Sequence, residues 1–161
     1  MKFTTRSRYG TRLLMDIALH EEEGPVSLRD IAQRLEVSQK YLEKLSRILR
    51  EAGYIESMVG ALGGYSLKVH PSAIRMGDVI FLLESGDPHA GLGKESPLAF
   101  CDRRDSCITR NIWNRAITAM RDTLNAISLE DMLRDACFCP PDGCEVAFVS
   151  LTGPGRRAGD E

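Results

Sequence analysis

Five cysteines offer the most reactive chemistry in this chain. Cys101 and Cys107 stand in the charged stretch CDRRDSCITRNIW, and Cys137, Cys139 and Cys144 crowd into CFCPPDGC. Thiolates are soft, charge-donating ligands, suited to iron–sulfur clusters and to tetrahedral zinc. A thiol pair beside Arg103 and Arg104 also suits a redox switch, because neighbouring positive charge favours the reactive thiolate. Two thiols do not complete a metal site, so a metal held by Cys101 and Cys107 needs further ligands. Pro140, Pro141 and Gly143 are a turn signal that can bring the flanking sulfurs together. Five thiols would supply four ligands and a spare. All five lie beyond residue 100, a clustering unlike that of ordinary core cysteines. His89 and Glu95 read as polar loop residues rather than ligands.

The bulk properties fit one ordinary domain, or a small domain with an extension. The chain has 161 residues, is 43% hydrophobic and 27% charged, and carries a net charge of -2. No apolar run is long enough to cross a bilayer, and MKFTTRSRYG lacks the apolar region of a secretion signal. A cytoplasmic location with reduced thiols, and no membrane partner, is therefore expected. Residues 1–75 carry 12 Lys and Arg against 9 Asp and Glu, whereas residues 76–161 carry 9 against 14. The mildly basic front half is compatible with nucleic acid. No nucleophile–base arrangement and no phosphate-binding glycine loop argues for an enzyme.

The spacing of apolar residues predicts the elements that must position these groups. Tyr9, Leu13, Ile17 and Ala18 make one face of a helix over 7–23. Ser27 with Asp30 resembles a capping box at the start of a second helix, whose face is Leu28, Ile31, Ala32 and Leu35. Ser38 caps a third, with Leu42, Leu45, Ile48 and Leu49 inward and Gly53 at its end. Two β-prone runs, 54–58 and 65–69, flank a glycine-rich loop and predict a hairpin. The order predicts a winged helix-turn-helix in a mainly α chain. SAIRMGDVIFLLES then reads as a short helix and GDPHAGLGKESPLAF as a mobile loop. A long helix follows from Cys107 to Ile127. Its stripe of Trp113, Ile117, Met120, Leu124 and Ile127 is spaced like a coiled-coil seam and is expected to join two copies. A short helix starts at Ser128, VAFVSL reads as a strand or docking segment, and TGPGRRAGDE reads as a disordered tail.

The segments MKFTTRSRYGTRLLMDIAL, VSLRDIAQRLEVSQKYLEKLSRILREAGYIES, GGYSL and CITRNIW…LNAISLEDML, in that order, closely resemble the bacterial winged-helix regulators typified by IscR, NsrR and CymR. The resemblance spans roughly residues 1–135. It implies a homodimeric DNA-binding transcription regulator that reads a palindromic double-stranded site. It also implies, for many members, an iron–sulfur cluster sensing redox, iron or sulfur status. The chain divides accordingly into a winged helix-turn-helix domain at 1–84 and a cysteine-containing sensor loop at 85–107. A dimerisation helix with a short following helix occupies 108–135, and a Cys-rich segment with a tail occupies 136–161.

A recognition helix presents its N-terminal residues to the major groove. Here these are Ser38, Gln39, Lys40 and Tyr41, with Lys44 and Arg47 further along. Gln39 suits adenine, and Lys40 suits guanine or a phosphate. Thr4, Arg6, Arg8 and Ser27 are expected phosphate contacts. The wing, Val59 to Gly64 with Gly60 and Gly63, is expected beside the minor groove. Val59 stands where the resemblance leads one to look for an arginine. Glu43 matches a glutamate that influences base tolerance in IscR-like proteins, or it simply pairs with Arg47 one turn on.

The resemblance places Cys107 and Cys101 at the third and second of three cysteines. Glu95 then falls at the first, and Arg110 falls where IscR-like proteins have a histidine ligand. Arg8 falls at the acidic ligand position of NsrR-like proteins. Cys137, Cys139 and Cys144 are therefore expected to complete the set. Zinc, or no cofactor with a thiol switch or protein partner, stays open on the sequence alone. A third class is an interaction protein of this fold that has lost DNA binding.

Overall fold

The computed structural model describes residues 3–60, 63–86 and 108–136. Helix α1 spans Thr5–His20, where the periodicity predicts 7–23. The side chain of Thr4 caps it by accepting from the Arg6 amide at 3.2 Å. Residues Glu21–Glu23 wind instead as a 3-10 turn, closed at Gly24 with φ 122. Glu21, the C-cap of α1, still donates its amide to Ile17 O, and its carboxylate accepts the Leu67 amide at 2.8 Å.

Helices α2 (Leu28–Arg34) and α3 (Gln39–Glu51) make the helix-turn-helix. Half of the expected capping box forms: the Asp30 amide donates to the Ser27 hydroxyl at 3.2 Å, while the Asp30 carboxylate takes that hydroxyl, at 2.7 Å, in the place of the Ser27 amide. The turn after α2 follows a Schellman pattern, with Val37 N–H on Ala32 O and Glu36 N–H on Gln33 O. Glu36 holds the left-handed position there, at φ 54. The end of α3 repeats the pattern with Gly53 at φ 81.

The hairpin pairs β1 (Ile55–Met58) with β2 (Gly64–Leu67), in the register Ile55↔Leu67 through Met58↔Gly64. Val26 adds a bridge on the other side of Tyr65, with both amide bonds at 2.9 Å. Gly64 permits that approach, since a Cβ there would stand 2.6 Å from the Val26 carbonyl.

The helix expected over SAIRMGDVIFLLES is two pieces, a 3-10 turn at Pro71–Ala73 and α4 at Met76–Ser85. The interruption has a partner. Leu129 N–H donates to Ile74 O at 2.9 Å, and Met76 N–H donates to Ile127 O at 3.0 Å. Helix α5 spans Ile108–Asn125 and α6 spans Leu129–Ala136. Ser128 caps α6 through Asp131, with N–H and O–H bonds to the carboxylate at 2.9 and 2.6 Å.

One core joins these elements. It includes Leu13, Leu14 and Ile17 of α1, Leu42, Leu45 and Leu49 of α3, and Leu82 and Leu83 of α4, with Leu129 of α6. Tyr9, Ala18, Ala32 and Ile48 only border it. Asp16, 4% exposed, takes a two-pronged ion pair from Arg34, at 2.9 and 2.6 Å, which ties α2 to α1. Arg34 is held above its ordinary pKa by that hydrogen bond, against burial.

Helix α5 meets α4 near its C-terminal end. Asn125 accepts from the Asp78 amide at 2.9 Å and donates to the Asp78 carboxylate at 3.2 Å. Arg121 lies 4.9 Å from the centre of the Phe81 ring. Further up α5, Ile112 is 66% and Trp113 60% exposed. Ile117, Met120 and Leu124 are half-buried, and Ile127 is exposed.

Gly77 sits where α4 and α5 touch, and a Cβ would meet Asn125 Oδ1 and stand 2.7 Å from the Arg121 carbonyl. Gly77→Ala is expected to destabilise the fold by about 1–3 kcal/mol, as overpacking does. Urea unfolding should show a lower midpoint at unchanged slope. An unchanged midpoint would contradict the contact.

Candidate nucleic-acid interface

Helix α3 begins at an N-cap, Ser38, whose hydroxyl accepts from Tyr41 N–H at 3.3 Å. Gln39, Lys40, Lys44 and Arg47 follow on its exposed side. Two of them are already engaged. Gln39 Nε2 donates to Glu43 Oε1 at 3.2 Å, and Arg47 Nε donates to Glu51 Oε1 at 2.9 Å. The Glu43–Arg47 pair, one of the two readings of Glu43, is therefore not formed. Arg47 has a carboxylate one turn away in either direction and takes the one towards the C-terminus, leaving Glu43 to orient Gln39. An amide nitrogen carries two donors, so Gln39 keeps one N–H and its carbonyl for another partner.

Tyr41 is half-buried rather than projecting freely. Its ring meets Tyr9 edge-on, with centroids 5.8 Å apart, and its hydroxyl donates to Thr5 Oγ1 at 3.4 Å. Arg12 lies over the other ring, 5.3 Å from the Tyr9 centroid. These contacts bring the first turns of α1 and α3 together. Arg6 and Arg8 are exposed on that first turn of α1, beside Lys40 and Lys44 in type and charge.

Two expected phosphate contacts have internal partners. Ser27 donates its hydroxyl to Asp30. Thr4 gives both its amide, at 2.8 Å, and its hydroxyl, at 3.0 Å, to one oxygen of Glu84. Burial alone would raise the Glu84 carboxyl, but hydrogen bonds from Ser7 and Thr4 and the charge of Arg6 outweigh it and hold it below the ordinary value. The sequence does not single out Glu84, because 80 residues separate it from Thr4 and neither carries a local signal for the other.

The wing is a glycine turn. Gly63 N–H donates to Gly60 O at 3.0 Å, and Gly60 has φ 147. A Cβ on Gly63 would stand 2.5 Å from the Met58 carbonyl. Val59 is fully exposed at the tip, so no side chain there adds charge. Arg50 reaches from α3 to the Ser57 hydroxyl at 3.5 Å and braces the wing.

Cys101, Cys107, Cys137, Cys139 and Cys144 lie outside the described residues, as do His89 and Glu95 and the side chain of Arg110. Among the described residues, no group of three or more His, Cys, Asp or Glu is placed to hold a metal ion. No helix among them is long and apolar enough to cross a membrane.

The family model described as Rrf2, iron-dependent transcriptional regulator, matches residues 3–135. Protein rrf2 of Nitratidesulfovibrio vulgaris strain Hildenborough is 50% identical over 147 residues, 91% of this chain and 97% of that protein. A continuous match of that length leaves 14 of 161 residues outside, so wherever it starts it takes in all five cysteine positions. The structure of T. potens IscR matches with a TM-score of 0.65 at 38% identity, over 84% of this chain and 88% of that one. The structure of CymR (YrzC), the global cysteine regulator of B. subtilis, gives 0.63 at 36% identity, over 84% and 98%.

The lowered Glu84 carboxyl has a pH signature. Its contribution to stability is present above the unfolded value, about 4.3, and is lost as pH falls through the lower folded value. Urea unfolding of wild type and Glu84→Gln should differ near neutrality and converge in acid. A difference that persists undiminished in acid strong enough to protonate the carboxyl in both folded and unfolded chains would contradict this assignment.

Proposed function

The chain belongs to the Rrf2 family of DNA-binding transcriptional regulators, and from that premise we propose that it grips a palindromic double-stranded site as a homodimer whose affinity answers to its cysteines. The observation that carries this is the convergence of the α1 and α3 N-termini through Tyr41, Thr5 and Tyr9. Arg6 and Arg8 are exposed on the first turn of α1, and Lys40 and Lys44 are exposed on α3. Arg and Lys there neutralise phosphates, while Gln39, aimed by Glu43, reads a base edge. Thr4, Ser27 and Ser38 steady the helix starts through their caps; Ser38 keeps a hydroxyl hydrogen to offer the DNA backbone, whereas Thr4 and Ser27 would first have to release Glu84 and Asp30. The glycine wing, with Gly60 and Gly63, contributes shape rather than charge. Trp113, left exposed on α5, begins the apolar stripe that a second copy would cover. A two-fold dimer reads a two-fold site.

The donor set fits an iron–sulfur cluster by its chemistry: five thiols, soft and charge-donating. Cys101 and Cys107 would hold it, with Cys137, Cys139 and Cys144 supplying the remaining ligands in place of Glu95 and Arg110. Such a group, when bound, supplies a redox- and iron-sensitive tie within the segment between α4 and α5. The likeness to CymR, named a cysteine regulator, supports a second reading. In it Cys101 and Cys107 act as a metal-free switch, their thiolates favoured by Arg103 and Arg104. Zinc in the same thiols is the third outcome.

Two experiments test this. In salt-titrated DNA binding, Lys40→Ala should lower the log–log slope by about 0.9 per lost phosphate contact. Gln39→Ala should weaken specific binding by about 1–3 kcal/mol without changing that slope. An unaltered footprint, slope and affinity in both variants would remove α3 as the recognition helix. Anaerobic purification with iron, sulfide and zinc counts should find iron and sulfide together with visible absorption. A colourless protein with none of the three leaves the thiol switch.

A further inference from the structure

We propose that Glu84 is a positioning residue that ties the state of the cysteine-bearing segment to the start of α1, where the DNA contacts are placed. The inference rests on the regulator reading above. Glu84 occupies the last turn of α4, which ends at Gly86 in the left-handed conformation, φ 70. Residues 87–107, with Cys101 and Cys107, follow directly in sequence. One oxygen of Glu84 takes both donors of Thr4, and Thr4 in turn caps α1 by accepting from the Arg6 amide. The Arg6 guanidinium lies over Gly86, where a Cβ would stand 2.9 Å from Nη1. The next residue after Thr4, Thr5, accepts from Tyr41 at the start of α3. Step by step, the contacts run from the exit of α4, through the first turn of α1, to the first turn of the recognition helix.

The geometry also supplies a pivot. Gly10 of α1 sits against the side chain of Leu83, the neighbour of Glu84, so the two helices touch there without a Cβ between them. Glu84 fixes the first turn of α1 on one side of that touch. A shift of about 1 Å at the end of α4 would take both Thr4 bonds, now 2.8 and 3.0 Å, past the limit of a hydrogen bond. The capped turn, with Arg6 and Thr5, is then free to re-aim. An apolar residue at position 84 would keep the packing but not this coupling.

The test uses the full chain with a DNA site. Dissociation constants are measured after anaerobic reconstitution with iron(II) and sulfide, after stripping with chelator under reducing conditions, and after diamide oxidation. Wild type should differ between at least two states by about tenfold or more. Glu84→Ala should bring the ratio close to one, while Glu84→Gln, which keeps an acceptor at the same reach, should restore most of it. A wild-type ratio of one removes the sensing reading and this proposal with it. A large wild-type ratio that survives in Glu84→Ala overturns the proposal alone. Amide exchange of wild-type Thr4 guards against a variant that fails to fold. Its rate should differ between states, and equal rates would overturn the coupling.

Discussion

A missing side chain at position 10 sets the geometry of the described fold. Gly10 lies mid-helix in α1, where glycine costs about 0.5–1 kcal/mol relative to alanine. What that permits is Leu83 lying directly on the helix backbone. The close approach brings α4 within reach of Thr4 at one end, and it leaves Tyr9 on another face of the same turn to meet Tyr41. α1 also packs on α2, β2 and α6, so its spacing from α4 propagates to every layer. A methyl group at that point would meet the Leu83 side chain, which would have to turn aside or carry α4 with it.

The opposite end of α1 is held by charge rather than by shape. Asp16 is buried, and the fork of Arg34 fixes both the distance and the rotation of α2 against it. Such a pair contributes less to net stability than its short bonds suggest, because two ions leave water to make it. Its value is angular: a carboxylate and a guanidinium meet in one plane and in few ways. Glu21 acts in a comparable way a turn later, where its carboxylate takes the β2 amide of Leu67 and seats the hairpin. Core leucines hold the helix-turn-helix together, while these polar contacts decide how it is oriented.

Local chemistry is legible in the sequence, and long-range pairing is not. Ser27 with Asp30, Ser38, Gly53 and the glycine-rich wing announce helix ends and a hairpin from within a few residues. The helix starts, the inward leucines and the family resemblance follow from them. Residues 72–85, SAIRMGDVIFLLES, read as one short helix. They split because Ile74 and Met76 find backbone partners at 127 and 129, which no window of a dozen residues contains. Arg47 has two carboxylates at equal sequence distance, Glu43 and Glu51, and spacing alone does not rank them. Glu84 is invisible for the same reason as Ile74: its partner is at the other end of the domain. The thiol chemistry is read from residue type and clustering, and those residues lie outside the described stretches of the chain.

The backbone pairing of Ile74 and Met76 with Ile127 and Leu129 has a consequence in time. A ribosome delivers the chain from its N-terminus, so helix α3 and the hairpin are made well before Leu129, whose side chain is fully buried in the core. Until that residue emerges, the nascent domain exposes an apolar socket, and the start of α4 lacks the Asn125 acceptor that closes it. The region that would read DNA therefore completes its folding only after the helix bearing Trp113 has been synthesised. Completion of the helix-turn-helix core and synthesis of α5 are thus linked by the order of translation.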